Sequence, residues 1–397
     1  MEQPPGYVVQ RGYGKVCHLK KSLYSLKHSP RAWFGKFSEV VQEFGLKKSK
    51  CDHFVFYKQS IVGSILLVVY VDDIVITGSD YAGISSLKSF LHTKFHTKDL
   101  GQLKYFLGVE ITRSKKGIFL SQRKYILDLL VEIGKLAAKP CSTPMVPTLH
   151  LMKYDGDLFN DPDRYRRLVG RLNYLNVTRP YITFAVSMVS QFMSAPIVKH
   201  WEALEQILYY LKRAPGLGIL YSNYSHSRID CFVDADWVGS KIDRRSTTGY
   251  CVFVGGNLVS WRSKKQNVVS RSSAESEYRA MAQSTCEIMW IHHLLTEIGL
   301  KHPTPSKLRC DNQVALHIAS NLVYYERTKH IKIDCHFIRE KSQENLISTG
   351  YMKTGEQLAD FLTKALNGTS LRGSVTGEQL VDYHCNKLGM INIYAPA

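Results

Sequence analysis

Two adjacent aspartates stand inside one of the most apolar stretches of the chain, SILLVVYVDDIVITG at residues 64–78. The flanking residues are rich in β-branched side chains, which predicts two strands joined by a tight turn. Burying unpaired carboxylates is costly, so Asp72 and Asp73 belong in the turn. Aspartates are common in solvated turns, but short hairpins favour Asn-Gly or Asp-Gly, and neither is present. A divalent-metal site at the hairpin tip is therefore favoured over an ordinary turn.

The charge balance indicates a polyanionic partner. The 397 residues include 52 Lys and Arg against 34 Asp and Glu, a formal charge of +18. Such an excess is typical of proteins that bind nucleic acid, although a merely basic surface has the same signature. Hydrophobic residues make up 44% of the chain, which excludes wholesale disorder.

The cysteines and the apolar runs indicate in which cellular compartment the protein works. Nine cysteines occur singly, with no Cys-x-x-Cys pair, which predicts reduced thiols rather than a disulfide framework or a zinc site. No apolar run has the length of a membrane span, and the N-terminus lacks the apolar core of a signal peptide. We therefore expect an intracellular protein, cytoplasmic or nuclear, with no membrane partner.

The first two segments differ in their predicted secondary structure. RAWFGKFSEVVQEFGL predicts a helix, DLGQLKYFLGVEITRSKKGIFLSQ a strand pair, and RKYILDLLVEIG a helix that ends at Gly134. The proline-rich stretch KPCSTPMVPTLHL marks a boundary. Residues 160–222 are predicted to be all helical, with faces that mix Arg and Lys with Tyr.

Acidic residues recur at corresponding places in the third segment. From Arg228 the pattern predicts three strands, a long helix, a fourth strand, two helices, a fifth strand and a last helix, GEQLADFLTKAL. Acids at strand ends and helix starts often converge on one edge of a sheet. A phosphodiester site with two cations about 3.5–4 Å apart needs several shared carboxylates, so this site is favoured over separate caps and surface charges. The acids are Asp234, Glu275, Glu277, Asp311 and Asp360.

Several motifs resemble one family in their order along the chain. LYSLKHSPRAWF, YVDDIVITG, DLGQLKYFLGVEI, GIFLSQRKYILDLL and KPCSTPM resemble the second half of a copia-type LTR-retrotransposon reverse transcriptase. DADWVGSKIDRRSTTGYCVFVGG, RCDNQVAL, TKHIKIDCHFIREK and GEQLADFLTKAL resemble the ribonuclease H domain that follows it in that polyprotein. NKLGMINIYAPA resembles the end of the polyprotein.

The resemblance implies an α+β and α/β multidomain fold. It implies part of the reverse-transcriptase palm and the start of the thumb at 1–145, and a helical thumb or connection segment at 146–225. A ribonuclease H-like domain at 226–368 would have a mixed sheet with flanking helices, and a C-terminal tail would occupy 369–397.

For the hairpin, the resemblance answers why the aspartates stand there. In the family, Asp72 and Asp73 match two of three polymerase carboxylates, which hold magnesium ions and the phosphates of the nucleotide. The third belongs to an earlier motif, which in the family lies just before the MEQPPGY stretch. We therefore expect no polymerisation by this chain alone, unless a partner chain supplies the missing half.

For the third segment, the resemblance implies four catalytic, metal-binding acids. Asp234 matches the acid of the first strand, Asp311 that of the fourth strand, and Asp360 that of the LAD motif. Glu275 and Glu277 both fit the helix position, and the SEYRAM context favours Glu277.

Other matches are weaker. Asp236 is the less favoured rival of Asp234 and is expected past the strand end. His330, Asp334 and His336 match a family motif, but surface and packing roles on a helix explain them at least as well.

The implied cofactor is Mg²⁺, with Mn²⁺ as a substitute. The implied substrate is the RNA strand of an RNA–DNA hybrid, with other nucleic acids as partners. The alternative is a non-catalytic retroelement remnant that at most binds nucleic acid. The intact acids favour the enzyme, and the missing polymerase half favours the remnant.

Overall fold

The computed structural model describes residues 29–320, 331–365 and 385–393. They form two units: one holds the described residues up to Gly101 together with Glu297–Gly299, and the other holds the rest. The predicted boundaries at 145 and 225 concern modules of the polyprotein and stay predictions. No helix within the described ranges is long and apolar enough to cross a membrane.

The first unit is an antiparallel sheet with two helices. Its elements are α1 (Ser29–Glu43), β1 (Lys47–Lys48), β2 (Val55–Gln59), β3 (Ser64–Tyr70), β4 (Asp73–Gly78) and α2 (Tyr81–Lys94). The strands pair in chain order. Because side chains alternate across a sheet, Phe56 and Leu67 share a core with Phe37 of α1 and Leu87 of α2.

The predicted hairpin around the paired aspartates is confirmed. The last pair of the antiparallel β3–β4 ladder is Tyr70 with Asp73. Val71 and Asp72 therefore form a two-residue turn.

The second unit contains two five-stranded sheets and most of the helices. Its first part comprises β5 (Tyr105–Phe106), β6 (Val109–Ser114), β7 (Gly117–Ser121), α3 (Arg123–Glu132), α4 (Pro162–Leu175), α5 (Thr183–Ser190), α6 (Val198–Arg213) and β8 (Leu217–Tyr221). Its second part comprises β9 (Ile229–Asp236), β10 (Thr247–Val254), β11 (Asn257–Lys265), α7 (Ser273–Glu297), β12 (Ser306–Cys310), α8 (Gln313–Ser320), α9 (Lys332–Gln343), β13 (Ile347–Tyr351) and β14 (Met390–Asn392).

One sheet of this unit is antiparallel in the order β14-β8-β7-β6-β5. The prediction that residues 160–222 are all helical is wrong at its end, because β8 pairs with β7. Helix α6 ends at Arg213. Pro215 stands two residues later and disfavours helical backbone at Ala214, the residue before it. The short apolar run that follows suits a strand better than a new helix.

The other sheet has the order β11-β10-β9-β12-β13 and is mixed. Strands β9, β10 and β11 are antiparallel, whereas β12 is parallel to both β9 and β13. On one face, Val233 shares a core with Tyr278 and Met281 of α7. On the other face, Phe253 belongs to the core formed by α3–α6. The mixed sheet with flanking helices is thus as predicted.

The predicted last helix, GEQLADFLTKAL, is wrong. The chain instead forms two 3₁₀ turns, Thr354–Glu356 and Leu358–Leu362. Gln357 between them has ψ 105°, and its buried amide donates to the Val233 carbonyl at 2.9 Å. This anchor on β9 interrupts the helix and fixes the second turn on the sheet.

A glycine in β10 lets the second 3₁₀ turn approach the sheet. A Cβ atom at Gly249 would lie 2.6 Å from the Thr363 Cγ2 atom and 2.8 Å from the Leu362 Cβ atom. Gly249 also pairs with Asp234 of β9. The absent side chain therefore brings the turn that carries Asp360 next to the strand that carries Asp234.

We expect Gly249→Ala to destabilise the second unit by about 1–3 kcal/mol, because the added methyl group overpacks this contact. Gly350→Ala in β13 is the matched control, since a Cβ atom there meets nothing within 4 Å. Urea unfolding followed by circular dichroism measures both variants. Equal midpoints for the two would contradict the close approach.

Candidate active site

The hairpin acids lie at an exposed, strained turn. Val71 has φ 51°, and Asp72 and Asp73 beside it are exposed. A type II′ turn needs positive φ at this position and favours glycine there. A β-branched residue in this conformation costs about 1–3 kcal/mol, and such strain clusters at functional sites. The geometry presents two carboxylates to solvent on a rigid hairpin.

The second group of acids begins on the central strand of the mixed sheet. Asp234 lies on β9, between β10 and β12, and is only 5% exposed. Its carboxylate accepts a hydrogen bond from the Thr363 hydroxyl. The ladder with β10, in which Asp234 pairs with Gly249, therefore fixes this acid in a buried position.

Helix α7 presents its two glutamates in different directions. Residues two apart on a helix differ by about 200°. Glu277 Oε1 accepts a hydrogen bond from the Ala235 N–H at 3.1 Å, so this carboxylate lies over β9. Glu275 instead accepts from the Arg271 N–H at 2.8 Å and pairs with Arg279 at 2.9 Å.

The third acid follows β12 and brings a thiol with it. The Cys310 Sγ atom donates to Glu277 Oε2 at 3.7 Å. One ligand atom each of Glu277, Cys310 and Asp311 lies within 4.8 Å of the others. Strand β12 therefore places both a carboxylate and a thiol beside Glu277.

The fourth acid comes from the 3₁₀ turn and has a cation beside it. Asp360 Oδ2 pairs with Lys364 Nζ at 3.0 Å. Asp360 Oδ1 is buried and has no hydrogen-bond partner among the described residues. Lys364 also interacts electrostatically with Asp234 and Asp311.

Burial and mutual repulsion make this cluster hold protons. Burial, followed by the charges of Asp234 and Asp311, raises the pKa of Glu277 to about 9. Burial, followed by the charge of Asp234, raises the pKa of Asp360 to about 7. Burial also raises the pKa of Asp234, although the ammonium of Lys364 opposes it. Full ionisation near neutral pH therefore requires further positive charge.

The rival acid of the first strand also belongs to this cluster. The expectation that Asp236 lies past the strand end is wrong, because β9 extends to it. Burial, followed by the charge of Asp234, raises the pKa of Asp236 to about 6. Sequence reasoning ended the strand too early, so it undervalued this residue.

Two residues of the histidine motif, Asp334 and His336, lie outside the acid cluster. Asp334 on α9 is 3.9 Å from Arg279, the ion-pair partner of Glu275. His336 is exposed and lies 3.6 Å from Glu340. His330 lies outside the described residues.

Three residues of the cluster were not singled out from the sequence: Cys310, Thr363 and Lys364. Cys310 precedes Asp311 in a strand, where a cysteine resembles any small apolar residue. Lys364 is four residues after Asp360, a spacing that on a helix pairs opposite charges. That spacing was a usable signal.

The cluster fits a divalent cation, as the resemblance implies. Carboxylate oxygens are the ligands that Mg²⁺ and Mn²⁺ prefer. The raised pKa values of Glu277 and Asp360 and the unpartnered Asp360 Oδ1 are the features that such a cation would relieve. Asp234, Glu277, Asp311 and Asp360 are the residues able to hold it.

Comparison with models of known protein families identifies the class of the first part of the chain. Residues 1–147 match the model of the family described as reverse transcriptase (RNA-dependent DNA polymerase). This range includes the hairpin that carries Asp72 and Asp73.

Polyproteins of plant transposons then extend the match along the chain. The chain is 42% identical over 372 residues to the retrovirus-related Pol polyprotein from transposon RE1 of Arabidopsis thaliana, covering 94% of this chain and 25% of that protein. It is 37% identical over 378 residues to the corresponding polyprotein from transposon TNT 1-94 of Nicotiana tabacum, covering 92% and 28%. The chain belongs to the copia-type retrotransposon Pol family, and it spans about a quarter of the length of these relatives.

A solved ribonuclease H domain is also similar, but only weakly. The N-terminal RNase H domain of rv2228c from Mycobacterium tuberculosis is 12% identical, with a TM-score of 0.25 over 34% of this chain and 91% of that chain. A score this low carries no weight for the fold, which rests on the strand order and pairing above.

We expect the metal-free chain to lose stability as pH rises. The pKa of Glu277 in the folded state, about 9, lies above its ordinary value of 4.5, so the folded state holds a proton that the unfolded chain releases. The resulting stability is present below about pH 4.5 and is lost as pH rises to about 9. In EDTA, the melting temperature of wild type should fall more between about pH 5 and pH 9 than that of Glu277→Gln. Excess Mg²⁺ should reduce the difference, and identical pH profiles would contradict the burial of this charge.

Proposed function

We propose that the mixed-sheet part of the chain cleaves the RNA strand of RNA–DNA hybrids with Mg²⁺ or Mn²⁺. The supporting observation is that four acids from separate elements interact electrostatically: Asp234, Glu277 and Asp360, which are buried, and Asp311, which is partly exposed. Like charges gathered out of water destabilise a fold. Acids with a purely structural role seldom carry such a burden.

Divalent cations held at this cluster would supply the Lewis acidity that phosphodiester hydrolysis requires. The chain's own residues supply position and charge. The Ala235 N–H and the Cys310 thiol orient Glu277 through its two oxygens, and the Thr363 hydroxyl orients Asp234. Because these donors are fixed by β9, β12 and the 3₁₀ turn, the carboxylates need little rearrangement to bind.

A basic helix supports a nucleic-acid partner. Arg164, Arg167 and Arg171 recur on α4 at a spacing that places them on one face. The guanidinium of Arg164 lies 5.0 Å from the centre of the Trp201 ring. Arg167 and Arg171 flank Glu132, which leaves a net positive face for phosphate contacts.

We expect Asp311→Asn to reduce cleavage of the hybrid at least about 100-fold, because it removes a charge from the metal ligands and keeps the shape. Binding of the uncut hybrid should be spared. Gel analysis of labelled RNA in the hybrid measures the first, and fluorescence anisotropy in EDTA the second.

The two glutamates of α7 provide the matched pair for this experiment. Glu277→Gln should behave like Asp311→Asn, whereas Glu275→Gln should be mild, since Glu275 pairs with Arg279 outside the cluster. The reverse ranking would overturn the choice of Glu277. Cleavage by Asp311→Asn at the wild-type rate would overturn the proposed function.

We expect hybrid binding to weaken steeply with salt, since each phosphate contact releases counterions. We expect the simultaneous replacement of Arg164, Arg167 and Arg171 by Gln to make the negative slope of log K against log salt shallower by about 2–3. Arg113→Gln, at an exposed position on β6, is the control and should leave the slope unchanged. A wild-type affinity that hardly varies between low and high salt would contradict backbone binding.

A further inference from the structure

A thiol lies among the carboxylates of the candidate active site. We propose that Glu277, Cys310 and Asp311 form a site for a thiophilic divalent cation of the Zn²⁺ type, and that its occupation blocks cleavage. The blocking rests on the proposed function, because the site shares Glu277 and Asp311 with the Mg²⁺ ligands. The cation site itself rests only on the positions of the three side chains.

The spacing of the ligand atoms fits shared coordination. The distance from Cys310 Sγ to Glu277 Oε2 is 3.7 Å. A tetrahedral cation with bonds of about 2.3 Å to sulfur and about 2.1 Å to oxygen separates those two atoms by about 3.6 Å. The Asp311 carboxylate completes a set of three ligand atoms within 4.8 Å of one another. Little movement is needed to convert the hydrogen bond into two bonds to one cation.

The strands and a neighbouring acid hold this set in place. Strand β12 pairs with β13 on one side and β9 on the other, so the Cys310 backbone is fixed. Glu277 and Cys310 are buried, while Asp311 is partly exposed and offers the route from solvent. Asp360 Oδ1 is buried and has no hydrogen-bond partner in the part of the chain that the structure describes, and its carboxylate interacts electrostatically with Asp311. This buried oxygen is a feature, independent of the three ligand atoms, that a cation bound in the cluster would stabilise.

The donor types decide which cation prefers the site. Binding replaces the S–H bond of Cys310 by a sulfur–metal bond and releases the proton to solvent, with no change in oxidation state. Thiolate ligands favour Zn²⁺ and Cd²⁺ strongly over Mg²⁺, which prefers oxygen. The scattered cysteines predict no structural zinc site of several thiols, and this site is different because a single thiol acts with carboxylates.

Cadmium binding to the 397-residue chain tests the proposal directly. Titration of the reduced wild type with Cd²⁺ should produce an ultraviolet thiolate-to-metal charge-transfer band. Cys310→Ser keeps a hydroxyl that can donate to Glu277, and it should abolish the high-affinity band and weaken Cd²⁺ binding at least about tenfold. Cys286→Ser removes an exposed thiol of α7 and should keep both. Equal binding by wild type and Cys310→Ser, or the same loss in Cys286→Ser, would overturn the proposal.

A second variant shows whether a loss of Cd²⁺ binding in Cys310→Ser could come from misfolding. A cleavage assay then tests the cation site and the proposed ribonuclease function separately. Glu277→Gln retains the thiol but should also weaken Cd²⁺ binding about tenfold, so an affinity that survives both substitutions overturns the site. In Mg²⁺, Zn²⁺ should inhibit hybrid cleavage by wild type at a concentration at least about tenfold lower than for Cys310→Ser. Equal inhibition of wild type and Cys310→Ser would overturn the proposal that occupation of the site blocks cleavage. Absence of hybrid cleavage with Cd²⁺ binding intact would overturn the proposed function and leave the cation site supported.

Discussion

Electrostatic repulsion among carboxylates at the end of β9 is the constraint on which the second unit depends. Asp234 is buried and its backbone is held opposite Gly249 in the ladder with β10, so it cannot move away from Glu277, Asp311 and Asp360. Three features offset this repulsion: retained protons, hydrogen bonds from Thr363 and from the Ala235 N–H, and the ammonium of Lys364. A bound cation would add what these lack, because it would stabilise the ionised form of every acid at once.

The architecture around the cluster serves to hold the fourth acid there. Asp360 follows the last strand of the mixed sheet, and its 3₁₀ turn must return from β13 at the edge of the sheet to β9 and β10 to meet Asp234. The missing side chain of Gly249 allows that approach, and the amide of Gln357 binds the turn to β9. Phe361 joins the core that contains the helices α3–α6. Packing in the helical segment therefore supports the position of an acid in the neighbouring sheet.

Local patterns were enough to predict the hairpin at Asp72, the succession of strands and helices from β9 to β13, and the placing of Asp311 directly after a strand, because strand ends are marked by the change from β-branched to polar residues. The family context favoured Glu277 over Glu275, and the rotation of α7 gives the physical reason for that choice. The 3₁₀ turns were not predictable, because the LADFLTKAL segment has good helical periodicity and only the tertiary bond from Gln357 to Val233 interrupts it. The four-residue spacing of Lys364 from Asp360 was a signal for their pairing, but the interaction of Lys364 with Asp234 and Asp311 was not predictable, since it depends on where that turn lies. Cys310 was missed because nothing in a strand pattern distinguishes a ligand thiol from a packing residue.

The two groups of acids stand in opposite physical situations. Asp72 and Asp73 are exposed, where water screens their repulsion, so the strain at Val71 is the main energetic burden of that hairpin. Asp234, Glu277 and Asp360 are buried, where the same repulsion is much stronger, so hydrogen-bond donors and retained protons have to offset it. Cys310 supplies one of these donors to Glu277 while adding a soft ligand to a set of hard ones. The group that stabilises the metal-free cluster is therefore also the group that exposes it to capture by a thiophilic cation.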